Sequence, residues 1–245
     1  MLLPKPKYQR QRQSGGLQLI KTFHTALANK KLLWIYLVAF LIMGSFVAVF
    51  NFISYVLLAP PYSLSQTVVG LLFVVYLFGT FSSTYMGRLS DQHGNGRVLI
   101  LGLLIMLTGG LLTLLQPLVF KFIGLAIFTF GMLGSHSVAC GWVGKLNQGD
   151  KAQSSSMYMF FYYAGASSLG TLGGVFLESY GWSGVIGMVA AAVIICLLVV
   201  VRLELAVSQH LLWHHYKNRE SQKTAGGKRF AACCFFMYRQ KSSKI

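Results

Sequence analysis

Carboxylates are scarce in this sequence. Five Asp and Glu stand against 21 Lys and Arg in 245 residues. Charged residues make up 11%, less than half of the about 25% usual in soluble domains. Long stretches carry no charge at all: residues 32–87, 98–120, 122–144, 152–177 and 179–201 contain no Asp, Glu, Lys or Arg. A soluble enzyme and a disordered chain are thereby excluded. Cysteine is sparse as well. Cys140 and Cys196 lie in apolar runs, Cys233 and Cys234 are neighbours near the end, and no spacing suits zinc or a redox pair. A secreted disulfide scaffold is excluded. The apolar runs do not alternate in segments of about ten residues, which excludes an outer-membrane barrel. No apolar core follows the basic N-terminus at signal-peptide distance, so no cleaved signal is expected.

What remains is long and apolar. A helix rises about 1.5 Å per residue, so ~20 residues cross a ~30 Å hydrocarbon layer. Four of the charge-free blocks fit one crossing each, and the first fits two. The fold class expected is an all-α membrane protein, a bundle of six transmembrane helices. The spans fall at about 32–59, 67–86, 98–119, 122–143, 154–177 and 183–201. Pro60-Pro61 ends the first, because proline lacks an N–H and clashes with a continuing helix. Residues 1–31 read as a basic cytosolic arm with room for a short interfacial helix around Leu17–Leu27, and 202–245 as a basic, disordered cytosolic tail. With six crossings both termini share one side, and that side collects 20 of the 21 basic residues; only Lys121 lies opposite. By the positive-inside rule the termini are cytosolic, and the net charge of +16 answers to the membrane and not to nucleic acid.

Spans three and six are almost purely aliphatic, as lipid-facing helices are. Spans one, four and five carry polar groups and are expected to face inward. Small residues four apart, Gly131/Ser135/Ala139 and Ala166/Gly170/Gly174, predict close helix contacts. Trp34, Trp142 and Trp182 fit an aromatic belt at the interfaces. No metal-ligand cluster, nucleotide loop or nucleophile triad is present, so neither enzyme nor cofactor is expected.

None of the carboxylates Asp91, Asp150, Glu178, Glu204 and Glu220 lies deep in a span, so this chain offers no buried-carboxylate proton relay. His136 is the intramembrane group that titrates near neutral pH. Two readings of it stand side by side: a protonatable or substrate-binding group in a cavity, or a neutral imidazole hydrogen-bonded to a neighbouring helix. Asn51 and Tyr55 lie one turn apart on one face of span one, and Tyr158 and Tyr162 do so in span five. Such aromatic walls with few polar groups suit amphipathic organic solutes; interhelical packing accounts for them equally well.

The loop Gly87–Arg97 carries the sharpest motif, G-x-x-x-D-x-x-G, through Gly87, Asp91 and Gly94. Gly87 lets a helix end approach a neighbour, Gly94 takes a positive φ at the turn, and Asp91 accepts from a helix N-terminus. In this setting the loop resembles the cytosolic motif of the major facilitator superfamily. Gln92, Asn95 and Gly96 replace residues the family prefers basic, and Arg97 lies just beyond. Met43–Tyr55, Ser135–Gly144 and Ser154–Phe176 are similar to the C-terminal six-helix half of bacterial inner-membrane efflux permeases in that family. The resemblance covers residues 32–203. It implies secondary transport, with efflux of a small organic solute coupled to protons, and an inside gate at Gly87, Asp91, Gly94 and Arg97. It also implies twelve spans where this chain has six. The expected partners are therefore the bilayer, a small solute, and a complementary six-helix half or a second copy. A truncated, non-transporting remnant whose tail is unrelated sequence is the other expectation.

Overall fold

The computed structural model describes residues 29–146 and 151–241. The N-terminal arm up to residue 28, with the interfacial helix expected around Leu17–Leu27, lies outside the described residues, as do 147–150 and 242–245.

Helix α1 runs Lys30–Leu58, capped by the Asn29 side chain, which accepts from the Lys31 N–H at 3.1 Å. The turn at 59–65 holds Pro60-Pro61 and leads to a short α2, Gln66–Gly70, and one 3-10 turn, Leu71–Val74. α3 follows at Val75–His93, α4 at Asn95–Leu112 and α5 at Leu118–Leu146. α6 spans Lys151–Lys241, with a break at Gly181, whose φ of 65° and ψ of −157° are not helical. No strand occurs among the described residues. Among the described residues five helices are long and apolar enough to cross a membrane. In lipid a helix succeeds where a strand fails because it satisfies every backbone polar group within itself.

Three boundaries differ from the sequence expectation. α3 continues seven residues past Met86, so that the loop expected at Gly87–Arg97 shrinks to the single non-helical residue Gly94. Polarity suggested a loop there, but polar side chains at a helix end reach solvent without any need to unwind. α4 stops at Leu112, not near Val119, because Pro117 cannot donate to the carbonyl four residues back. The stretch expected to be a disordered tail continues as helix to Lys241; it contains no proline, and a helix closes its hydrogen bonds without a partner.

The described residues form two compact units, divided between Val200 and Val201. Within the first, contacts fix the helix directions. Tyr36 stacks on Phe161 at 5.5 Å, Gly165 abuts the Phe40 carbonyl, and Gly173 abuts Phe52, so α1 and the first arm of α6 run parallel. Ser83 meets Ser137 and Asp91 meets Lys145, so α3 and α5 run parallel. Gly102 faces Ser135 while Gly109 faces Phe128, so α4 and α5 run antiparallel.

The apolar stretch Lys151–Leu205 has 55 residues, about 80 Å if straight, far more than a bilayer. It does not stay straight. Gly165 touches α1 at Phe40, and Cys196 Sγ lies 4.0 Å from the Val38 carbonyl oxygen, nearly the same level. Two points 31 residues apart at one height require a reversal midway, at 180–181, where Gly181 stands.

α1 lies at the centre of this unit. Ile35, Val38, Ala39, Ile42, Ala48, Val49, Ile53 and Leu57 are fully buried. Outward faces differ in kind: Leu101, Leu104 and Leu111 on α4 and Ile194, Ile195 and Leu198 on α6 are aliphatic, whereas α3 exposes Phe78, Phe81 and Tyr85. Close backbone approach holds the unit together. The row Gly131/Ser135/Ala139 is buried, with Gly131 against the backbone of Met106. In α6 the tightest contact is Gly165 on Phe40, one residue before the expected row begins.

Candidate functional site

His136 on α5 faces Tyr158 and Tyr162, one turn apart on α6. Its Nδ1 lies 3.0 Å from the Tyr158 hydroxyl. That hydroxyl also stands 3.5 Å from the His136 carbonyl oxygen. The imidazole and the Tyr162 ring are 4.5 Å apart between centroids, the two tyrosine rings 6.2 Å, and Tyr163 adds an edge-on contact of 5.4 Å to Tyr162. Tyr158 is fully buried, Tyr162 nearly so, and Tyr163 exposed. Small residues allow this convergence: α5 presses its Gly131/Ser135 edge on α4 and turns His136 toward α6. The hydrogen bond between neighbouring helices in one of the two sequence readings of His136 is present. His136 as a whole is only partly buried. Chemically the cluster offers an aromatic wall and a hydrogen-bonding imidazole.

Asn51 and Tyr55 do not join it. Asn51 sits beside Gly170, whose added Cβ would be 3.8 Å from the amide nitrogen. Gly170 is eight residues from Tyr162 and twelve from Tyr158, roughly 12–18 Å along the helix. Both α1 residues are exposed, and Tyr55 contacts Phe52 at 6.3 Å. The five residues singled out from sequence thus form two patches at different depths. Ser168 and Thr171 on α6 bond their hydroxyls to carbonyls one turn back, so their polarity requires no cavity.

The motif residues divide similarly. Gly94 has φ 93° and makes the one-residue joint between α3 and α4. Gly87 is not needed for a close approach, since an added Cβ would sit 3.5 Å from Ser137 Oγ, an ordinary contact. Asp91 lies in the last turn of α3 and pairs with Lys145 Nζ at 2.9 Å; the same ammonium donates to Asn95 Oδ1 at 3.1 Å. Arg97 is exposed in the first turn of α4. The acid therefore meets a lysine from α5 instead of capping a helix.

Lys145 and Asn95 were not singled out from sequence. The signal was there: the acid ending one span and the base ending another fall on the same side. Lys121, Thr113 and Trp182 were missed as a group. They meet where the turns after α1 and α4 approach Gly181, and Trp182, expected in an interfacial belt, donates to Thr113 at 3.2 Å. Among the described residues no group of three or more His, Cys, Asp or Glu is placed to hold a metal ion.

A family model described as the Major Facilitator Superfamily matches residues 35–237. Three curated relatives illustrate the similarity. The uncharacterized MFS-type transporter YybF of Bacillus subtilis (strain 168) is 45% identical over 171 residues, 70% of this chain and 42% of its own length. The inner membrane transport protein YnfM of Escherichia coli (strain K12) is 41% identical over 202 residues, 82% of this chain and 48% of its own. An uncharacterized transporter of Buchnera aphidicola subsp. Schizaphis graminum is 36% identical over 187 residues, 76% of this chain and 45% of its own. The chain spans about half the length of the curated relatives it matches.

Proposed function

Because this chain belongs to the major facilitator superfamily, we propose that it supplies one six-helix half of a bacterial inner-membrane secondary transporter. One observation carries the reading: relatives named as transporters match this chain over less than half of their own length. Six crossings follow from counting the two arms of α6 separately on either side of Gly181, and both termini then lie in the cytosol. The solute is small, organic and amphipathic, and its export is coupled to protons. Its path in this half runs along Asn51 and Tyr55 at one depth and His136, Tyr158 and Tyr162 at another. His136 offers the solute a hydrogen-bonding edge while Tyr158 fixes its ring. At the cytosolic end Gly87, Asp91, Gly94 and Arg97, with Lys145, form the inside gate. An exposed ion pair suits a gate, since it is worth at most about 1 kcal/mol and breaks readily.

The half works with a complementary half. The test is co-expression with the first six-helix half of YnfM, in cells loaded with a panel of fluorescent organic efflux probes. Export is expected from the pair and not from either half alone, with loss in the His136→Ala variant. No export from the pair, when the two halves of YnfM itself complement each other, overturns the proposal. Export from this chain alone transfers the reading to a homodimer.

A further inference from the structure

Lys121 stands apart from everything above. Only 3% of it is exposed, although it is a lysine in the first turn of α5. Its Nζ donates to the Thr113 carbonyl oxygen at 2.9 Å and lies 5.4 Å from the centre of the Tyr62 ring and 6.0 Å from that of Trp182. These are distances at which a ring face attracts a cation. Among the described residues no carboxylate reaches it within ion-pair distance. The partners come from three separate places: Tyr62 from the turn after α1, Thr113 from the turn after α4, and Trp182 from the residue after the Gly181 reversal. Each is tied in a second way. Trp182 Nε1 donates to both the carbonyl and the hydroxyl oxygen of Thr113, each at 3.2 Å, and the Tyr62 hydroxyl donates to the Gln116 carbonyl.

The acceptor at the centre is made by the sequence. In a continuing helix the Thr113 carbonyl would accept from the N–H of residue 117. Residue 117 is proline and has none. The orphaned oxygen is buried, so it must find donors elsewhere. Lys121, four residues beyond the proline, and Trp182, brought in by the reversal, supply them.

We propose that Lys121 locks the turn after α1, the turn after α4 and the Gly181 reversal into one rigid plate, with Pro117 as the residue that creates its anchor. The bundle then has unlike ends: a plate held by a buried ammonium, and an opposite end where Lys145 bridges Asp91 and Asn95 at the surface. The proposal does not rest on transport; the plate exists whether or not the chain moves a solute.

The test uses the full chain in lipid nanodiscs, with native cysteines replaced and spin labels at S63C–Q116C and Q116C–S183C, which span the plate. A third pair, H93C–K151C, reports on the far end. Pulsed dipolar spectroscopy is expected to give one narrow distance for each plate pair. Lys121→Met should broaden both plate pairs together and leave the third unchanged, while Lys121→Arg keeps them narrower than Met does. Pro117→Ala should broaden them too, because the restored N–H competes for the Thr113 carbonyl. This variant decides the matter if Lys121→Met does not fold. Broadening of one plate pair alone, or unchanged plate distances in both Lys121→Met and Pro117→Ala, overturns the proposal.

Discussion

Tyr158 and His136 show how little a single polar contact contributes in a membrane. Hydrogen bonds between helices in lipid average about 0.6 kcal/mol and reach about 1.7. The 3.0 Å contact between hydroxyl and imidazole is well formed, and Tyr158 is buried. Tyr158→Phe should therefore cost roughly 0.5–2 kcal/mol in an unfolding titration in mixed micelles. A loss far above that range would mean that packing of the ring, not its hydroxyl, holds the site. Glycines give sharper contrasts. A Cβ at Gly165 collides with the Phe40 carbonyl, while one at Gly187 meets nothing within 4 Å. Gly165→Ala should destabilise by about 1–3 kcal/mol and Gly187→Ala by a few tenths at most, the scale set by overpacking. Equal effects in the same titration would contradict the close approach of α1 and α6. This contact was not legible in the sequence. Gly165 neighbours the row Ala166/Gly170/Gly174, and a one-residue shift turns a helical position by about 100°. Pattern alone shows that a small-residue face exists; which member touches a backbone depends on the partner helix.

Helix ends are where sequence and structure part. Apolar blocks without strand alternation point to long helices, because a helix satisfies its backbone within itself in lipid. The interhelical loops were harder. The polar stretch Gly87–Arg97 reads as a loop, yet α3 runs to His93 and only Gly94 departs. Solvent accepts polar side chains on a helix end as readily as on a loop, so composition does not separate the two. Gly181 is the converse. The sequence leaves a short polar turn at 178–182, and the structure narrows it to one residue whose φ and ψ lie in a region used almost solely by glycine. Gly181→Ala is expected to cost about 1–3 kcal/mol, the scale of one residue held in such a conformation. A neutral result in thermal unfolding would place the reversal elsewhere. The Lys145–Asp91 bridge is a milder element. Both partners are more than half exposed, and Lys145→Met should cost less than about 1 kcal/mol, shrinking further in high salt. A larger, salt-independent loss would show a buried role that the geometry does not have.

For the molecule as a whole, charge segregation was the most legible feature: it named the class, an all-helical membrane protein. The candidate site was legible only as residue types. Asn51, Tyr55, His136, Tyr158 and Tyr162 were chosen because polar and aromatic groups at membrane depth are unusual. Whether they converge depends on helix rotation and height, which composition does not encode, and they fall into two patches. Lys121 was invisible as a site because its partners come from three turns far apart in the chain. The family match supplies what physics alone does not, a length: the relatives are longer, and this chain matches less than half of each. The proposed six-helix half, with its reversal at Gly181, makes one clear demand on topology. Single cysteines at Ser63, Gln116 and Ser183, and others at His93 and Lys151, can be probed in intact cells with an impermeant thiol reagent. The first three should react from the periplasm and the last two only after the cells are opened. If Ser183 reacts with the His93 group instead, the reversal, the even number of crossings and the half-transporter reading all fail together.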